Sequence, residues 1–230
     1  MRQTSGAGPR FGTLCRSHTP VNLAPACSAL AGYNGTSKLN AKGGWLFSVW
    51  ADLDTDSAFY ATAFNPAQPL ITPAGLNTTT ATPLKWLADA VLNLQAHHVP
   101  VDAGVGQVQH APQSRKIPLP GCPGEGPAQD MGCFNAIYSP DATPSTAGPV
   151  SGGPYGQVND GSSLVLTTQL KPAGPTSEGI LTYSQASDPT SRWYANMTRL
   201  YSRGKWVKLP YTPSQLAHDR PLSPVRLQAH

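Results

Sequence analysis

The sequence predicts an α+β fold with long irregular connections, and three observations predict it. Apolar residues recur at helical spacing through the first hundred residues, short β-branched and leucine-rich runs with closing helices occupy the second half, and 22 Gly and 24 Pro stand among 230 residues. Glycine and proline at that density punctuate a chain into short elements and loops. Residues 1–20 read as an irregular N-terminal segment. Residues 21–100 read as a helical part, and residues 101–220 as a sheet with closing helices, inside one portion running over 21–230.

Taken in order, residues 21–33 and 44–53 read as helices, the second with Leu46, Val49, Trp50 and Leu53 on one face. Thr82 followed by Pro83 reads as an N-cap and first-turn proline for a helix over 83–98, in which Leu84, Leu87, Val91 and Leu94 form one stripe. The proline-rich segment 140–154 carries no packed-core pattern and reads as a loop. Residues 163–169 (SLVLTTQ) and 179–184 (GILTYS) read as strands joined by a Lys-Pro-Ala-Gly-Pro loop. Both faces of these strands are apolar: Leu164 and Leu166 oppose Val165, and Ile180 opposes Leu181. Such strands call for cover above and below. Trp193, Met197 and Leu200 read as the core face of a helix ending near Gly204, and Thr212-Pro213 opens a short last helix.

Composition narrows the function classes. Only 12% of residues are charged and the net charge is +4, with basic residues scattered, which argues against a nucleic-acid or anionic-membrane partner. No stretch approaches the ~20 apolar residues of a membrane span, and Met1 is not followed by a basic and then apolar leader pattern. Cys15, Cys27, Cys122 and Cys133 allow three pairings. Cys122 and Cys133 bracket a Gly/Pro-rich loop that closes easily, as in an oxidising compartment; free thiols are the alternative, and their spacing does not suit a zinc site.

Candidate chemistry is sparse. His97-His98 sits at a helix end, where a cation suits the carboxyl-terminal dipole, and adjacent residues point to different helix faces, so capping or exposure is preferred to metal ligation. His18, His110, His218 and His230 are isolated in sequence and lack a neighbouring carboxylate pattern. Ser184 and Ser187 follow a strand but lack the G-x-S-x-G context of a nucleophile elbow. Ser187 and Asp188 instead read as caps before a Pro189-led helix. Trp45, Trp50, Trp86, Trp193 and Trp206 invite a sugar- or acyl-binding surface, but three of them lie in helical stripes, where core packing is the default use of an aromatic. The Asn34, Asn77 and Asn196 Asn-x-Thr triplets recur by chance at this length. No catalytic, cofactor-binding or metal residue is assigned.

The order of elements in residues 179–219, strand, polar corner, aromatic helix, Trp-containing return and capped last helix, resembles the closing segment of the large chain of the penicillin acylase family. The pieces ACSALAGYNG and GGWLFSVW (26–35 and 43–50), FNPAQPLITPAGL (64–76), GVGQVQ (104–109), IPLPG (117–121) and GCFNAI (132–137) resemble further family passages, with Tyr33-Asn34 where Trp-Asp is usual and Asn65 where the family has Asp. The lactone and lipopeptide acylases of the family are the most similar.

The resemblance implies a partial αββα N-terminal-nucleophile hydrolase fold and hydrolysis of a linear amide between an acyl group and an amine, as in antibiotic, lipopeptide or acyl-homoserine lactone deacylation. The family's nucleophile is a Ser at the start of the large chain, using its own α-amino group as base. Met1-Arg2-Gln3-Thr4-Ser5 does not match that opening. The resemblance thus implies a carboxyl-terminal portion lacking the nucleophile, inactive alone and poorly folded without the preceding half of the large chain and the small chain, with export of the complete precursor to the periplasm or medium. No cofactor is implied. A remnant without activity, or a standalone secreted structural or binding module, is the alternative.

Overall fold

The computed structural model describes residues 21–53, 59–122, 136–139 and 155–218, and helices and strands are mixed along them. The chain divides into two compact units between Ser162 and Ser163.

Among the described residues, three helices form the core of the first unit. Helix α1 (Ala24–Gly32) starts later than the pattern suggested, because the Asn22 side chain accepts the Ala24 N–H at 3.1 Å and turns the chain before it winds. Helix α2 (Gly44–Ala51) follows Gly43 at φ 72°, where a Cβ would meet the Ala29 carbonyl oxygen at 2.9 Å. A left-handed residue pressed against another helix's backbone must be glycine. After the short antiparallel pair β1 (Tyr60–Thr62) and β2 (Ala74–Leu76) comes α3 (Thr82–Ala96).

Leu84, Leu87, Val91 and Leu94 are buried as the stripe predicts, and join Leu30, Trp45, Leu46, Val49 and Trp50 in one core. The start of α3 differs from expectation. Ala81 is the N-cap position and no side chain caps the helix, so Thr82 lies inside the first turn. The Pro83 carbonyl instead accepts the Trp50 indole N–H at 2.7 Å, tying α3 to α2 by a buried donor that would otherwise be unpaired.

The one-turn helix α4 (Val105–Val108) leads into β3 (His110–Ala111), paired antiparallel with β4 (Ser114–Pro118). Of the family-like piece 132–137 only the end is described: β5 (Ile137–Tyr138) pairs with β6 (Asp160–Gly161), while 132–135, 1–20 and the segment 140–154 lie outside the described residues.

The second unit holds the three-stranded antiparallel sheet β7 (Leu164–Gln169), β8 (Thr176–Leu181) and β9 (Val207–Leu209), in that order. The expected strand over 179–184 is displaced toward the N-terminus. Leu164 pairs with Leu181 and Gln169 with Thr176, so 170–175 form the connection and Thr182–Ser184 leave the ladder. Helix α5 (Asn196–Ser202) ends in a Schellman motif, with Gly204 at φ 64°, Lys205 N–H on the Leu200 carbonyl at 2.9 Å and Gly204 N–H on that of Tyr201 at 2.9 Å.

The buried face of α5 is Ala195, Thr198 and Tyr201, one residue out of phase with the expected Trp193, Met197 and Leu200. Trp193 precedes the helix and is half-exposed, with the Arg192 guanidinium 4.2 Å over its ring. Helix α6 (Pro213–His218) opens on a reciprocal cap: Thr212 Oγ1 accepts the Gln215 N–H at 3.2 Å, and Gln215 Oε1 accepts the Thr212 N–H at 3.1 Å.

Candidate functional site

The corner after β8 is where a strand delivers serines to a turn, the position in which a nucleophile would be sought. Ser184 sits there at φ 63°, an uncommon conformation for a residue with a side chain. Its hydroxyl oxygen accepts the N–H groups of Met197 and Thr198, both at 3.1 Å, and lies 3.0 Å from Thr198 Oγ1. These are first-turn donors of α5, a helix whose own N-cap residue contributes no side chain. Ser184 is therefore a cap delivered from thirteen residues upstream, and its lone pairs are engaged in holding α5 onto β8.

Asp188 takes a structural role, but not the expected one, because no helix starts at Pro189. Asp188 Oδ1 accepts the Thr190 N–H and hydroxyl, both at 2.8 Å, and those two bonds to the ionised form, backbone first, hold its carboxyl below the usual carboxylate range. Ser187 is exposed. The same turn recurs at two of the Asn-x-Thr triplets. Asn34 Oδ1 accepts from Thr36 N–H and hydroxyl at 3.1 and 2.8 Å, and Asn77 Oδ1 from those of Thr79 at 3.0 and 2.7 Å. These Asx turns account for the triplets locally, whereas Asn196 begins α5.

The histidines remain scattered. His97 is the C-cap position of α3, and His98 follows at φ 56°; both are exposed. His97 stacks on Tyr155, rings 3.7 Å apart and 8° from parallel. His110 is buried, with Nδ1 2.9 Å from the Val108 carbonyl and Nε2 facing no partner. His218 lies 2.6 Å from the Ser214 carbonyl on α6. His18 and His230 lie outside the described residues. Among the described residues no three metal-ligating side chains come together.

One cluster was not legible in the sequence. The Trp45 indole N–H donates to the Tyr155 hydroxyl at 3.0 Å, and that hydroxyl donates to Asn93 Oδ1 at 2.7 Å. The Trp45 and Tyr155 rings meet edge-on at 5.9 Å. A separation of 110 residues between the partners leaves no local signal. The chain orients an apolar core element with it and activates no nucleophile.

Trp45 and Trp50 are buried core aromatics, as expected, and Trp86 packs beside them. Tyr33 is buried too, which pushes its phenol above the ordinary value while a bond with Ser37 works in the opposite direction. Cys27 and Cys122 are both disulfide-bonded. Cys15 and Cys133 lie outside the described residues. Cys122 forms an isolated bridge with Ala136, and its carbonyl accepts the Ile137 N–H at 3.0 Å.

Residues 4–218 match the family model described as penicillin amidase. The chain is 35% identical over 201 residues to the aculeacin-A acylase of Actinoplanes utahensis, covering 86% of this chain and 23% of that protein. It is 29% identical over 221 residues to an acyl-homoserine lactone acylase of Pseudomonas syringae pv. syringae, covering 92% of this chain and 27% of that protein. The chain thus spans about a quarter of the length of the relatives it matches, and by this match it belongs to the penicillin amidase family.

Proposed function

We propose that this chain is the carboxyl-terminal scaffold of an acylase that hydrolyses a linear amide between an acyl group and an amine, and that it supplies no catalytic group itself. The family match over residues 4–218 carries the reading. Supporting it, each described serine and histidine that invited a catalytic role is isolated or held in a local structural contact, Ser184 as the cap of α5 above all. The substrate class follows the relatives named for aculeacin-A and acyl-homoserine lactones, and we place the acyl group with theirs. The partners are the rest of the acylase polypeptide and the acyl amide; neither nucleic acid nor membrane has a role. The disulfides on Cys27 and Cys122 favour an oxidising, exported setting. In the complete enzyme a Ser at the start of the large chain attacks the amide carbonyl, the C–N bond breaks and the amine leaves with the serine's proton, and water then hydrolyses the ester to release the acyl group as the free acid.

The test exchanges the 201 matched residues of aculeacin-A acylase for those of this chain and follows free amine released from decanoyl and phenylacetyl amides. The exchanged enzyme is expected to hydrolyse the decanoyl amide, and the isolated chain neither. Amine release by the isolated chain, or a folded exchanged enzyme without activity, overturns the proposal.

A further inference from the structure

We infer that Asn34 is a self-modification site, at which the backbone nitrogen of Gly35 displaces the side-chain amide as ammonia and the residue becomes aspartate or isoaspartate. The inference concerns the loop after α1 and is independent of the acylase reading.

Asn34 is the one asparagine in the sequence that precedes glycine, and it is exposed. The reaction needs the following residue's nitrogen to reach Cγ and close a five-membered ring, and a side chain on that residue hinders the approach. Gly35 has none, and it stands at φ 70°, where only glycine is at ease. Among the described residues nothing accepts its N–H, so no hydrogen bond has to break before the nitrogen turns toward Cγ.

The carbonyl under attack is held by two donors. Thr36 gives Asn34 Oδ1 its N–H at 3.1 Å and its hydroxyl at 2.8 Å. Both draw electron density from the carbonyl carbon, and both meet the negative charge that this oxygen gains on attack. The attack is intramolecular, so the turn holds the reacting groups close from the start. Asn77 provides the comparison within the same chain. Its Oδ1 accepts the same pair of donors from Thr79, at 3.0 and 2.7 Å, but it precedes Thr78, whose branched Cβ crowds the nitrogen. Equal donors with unequal followers make the glycine the deciding element.

The step balances with water alone. The Gly35 nitrogen gives its proton to solvent and bonds to Asn34 Cγ, the Cγ–Nδ2 bond breaks, and Nδ2 takes a proton from water and leaves as ammonia. Water then opens the succinimide. Cleavage between the nitrogen and Cγ gives aspartate, and cleavage at the main-chain carbonyl gives isoaspartate, which adds one carbon to the backbone. The loop has little room for that carbon, since Tyr33 is buried and the Ser37 carbonyl accepts the Gly121 N–H at 3.0 Å.

The full chain is held folded in mildly alkaline buffer, then digested, and its aspartate and isoaspartate peptides are separated and weighed while released ammonia is measured. Asn34 is expected to convert faster than Asn77 by about tenfold or more, the rate that a modest steric difference in the barrier carries. The Gly121 amide is expected to exchange faster as isoaspartate accumulates. Thr36→Val keeps the N–H donor and removes the hydroxyl, and is expected to slow conversion by about two- to tenfold, the worth of one hydrogen bond. Thr78→Gly is expected to make Asn77 a second site. Asn34 left intact, Asn34 and Asn77 converting alike, conversion quickened by Thr36→Val, or Asn77 inert in Thr78→Gly overturns the inference.

Discussion

The helical unit and the sheet unit both have leucine-rich elements to cover, and they finish the task to different degrees. An amphipathic helix has one apolar stripe, so α2 and α3 can satisfy each other: Leu46, Val49, Leu87 and Leu94 reach 0% exposure. A strand has two faces, and among the described residues, where α5 packs on β8, Val165 and Ile180 are buried while Leu164 and Leu166 stay in solvent. The lesson is that leucine content does not report core membership. What matters is how many faces an element presents and how many neighbours the chain provides for them.

The most direct way to break that comparison is to truncate one leucine in each unit. Leu87→Ala is expected to cost about 2–5 kcal/mol through lost burial and an incompletely collapsed cavity. Leu166→Ala is expected to stay within about 0.5 kcal/mol, as exposed positions do. Urea denaturation of the purified chain measures both. Equal costs would mean that the sheet's outer face is already covered in solution.

A second substitution asks what fastens α5 to the sheet. Ser184→Ala removes the acceptor of two first-turn N–H groups and should destabilise the second unit by about 1 kcal/mol, read as faster amide exchange in α5 with α3 unchanged. Ser184→Gly separates cap from backbone: it also loses the cap, but relieves the left-handed conformation, so it should fall between alanine and the unaltered chain. If α3 responds as strongly as α5, the two units do not behave as separate cores.

The elements were largely legible because their signals are local. The α3 stripe is set by spacing, the Gly204 stop by a left-handed position, and the α6 start by Thr212-Pro213. The misreadings have a shared cause. The start of β8 is set by its register with β7, and the phase of α5 and its cap by which residues Ser184 reaches across thirteen positions, and periodicity holds no information about either. The expected ribbon of two strands was also too small, since β9 and α5 join it from later in the chain, and three strands with a helix provide the cover that a lone hairpin lacks. Family resemblance identified the lineage from element order. It could not reveal that Asn34, Asn77 and Asp188 serve one turn, or that Trp45 and Tyr155 meet.

The finest distinction between the units is expected in their pH limits. Tyr33, in the helical unit, has its phenol raised by burial; the unfolded chain then releases that proton first, so the contribution is fully present below about pH 10 and is lost as pH rises. Asp188, in the sheet unit, has its carboxyl lowered by the Thr190 bonds; its contribution is present above about pH 4 and is lost as pH falls. Tyr33→Phe should therefore flatten the alkaline limb of stability and leave the acid limb alone. Asp188→Asn keeps an oxygen acceptor for Thr190 and should flatten only the acid limb, by a smaller margin because this carboxylate is bathed in solvent. Melting temperatures from pH 3 to 11 for the two variants and the unaltered chain check both. A melting temperature lowered equally at every pH in Asp188→Asn would show that the neutral amide fails to hold the turn, and that the charge as well as the bond geometry carries the effect.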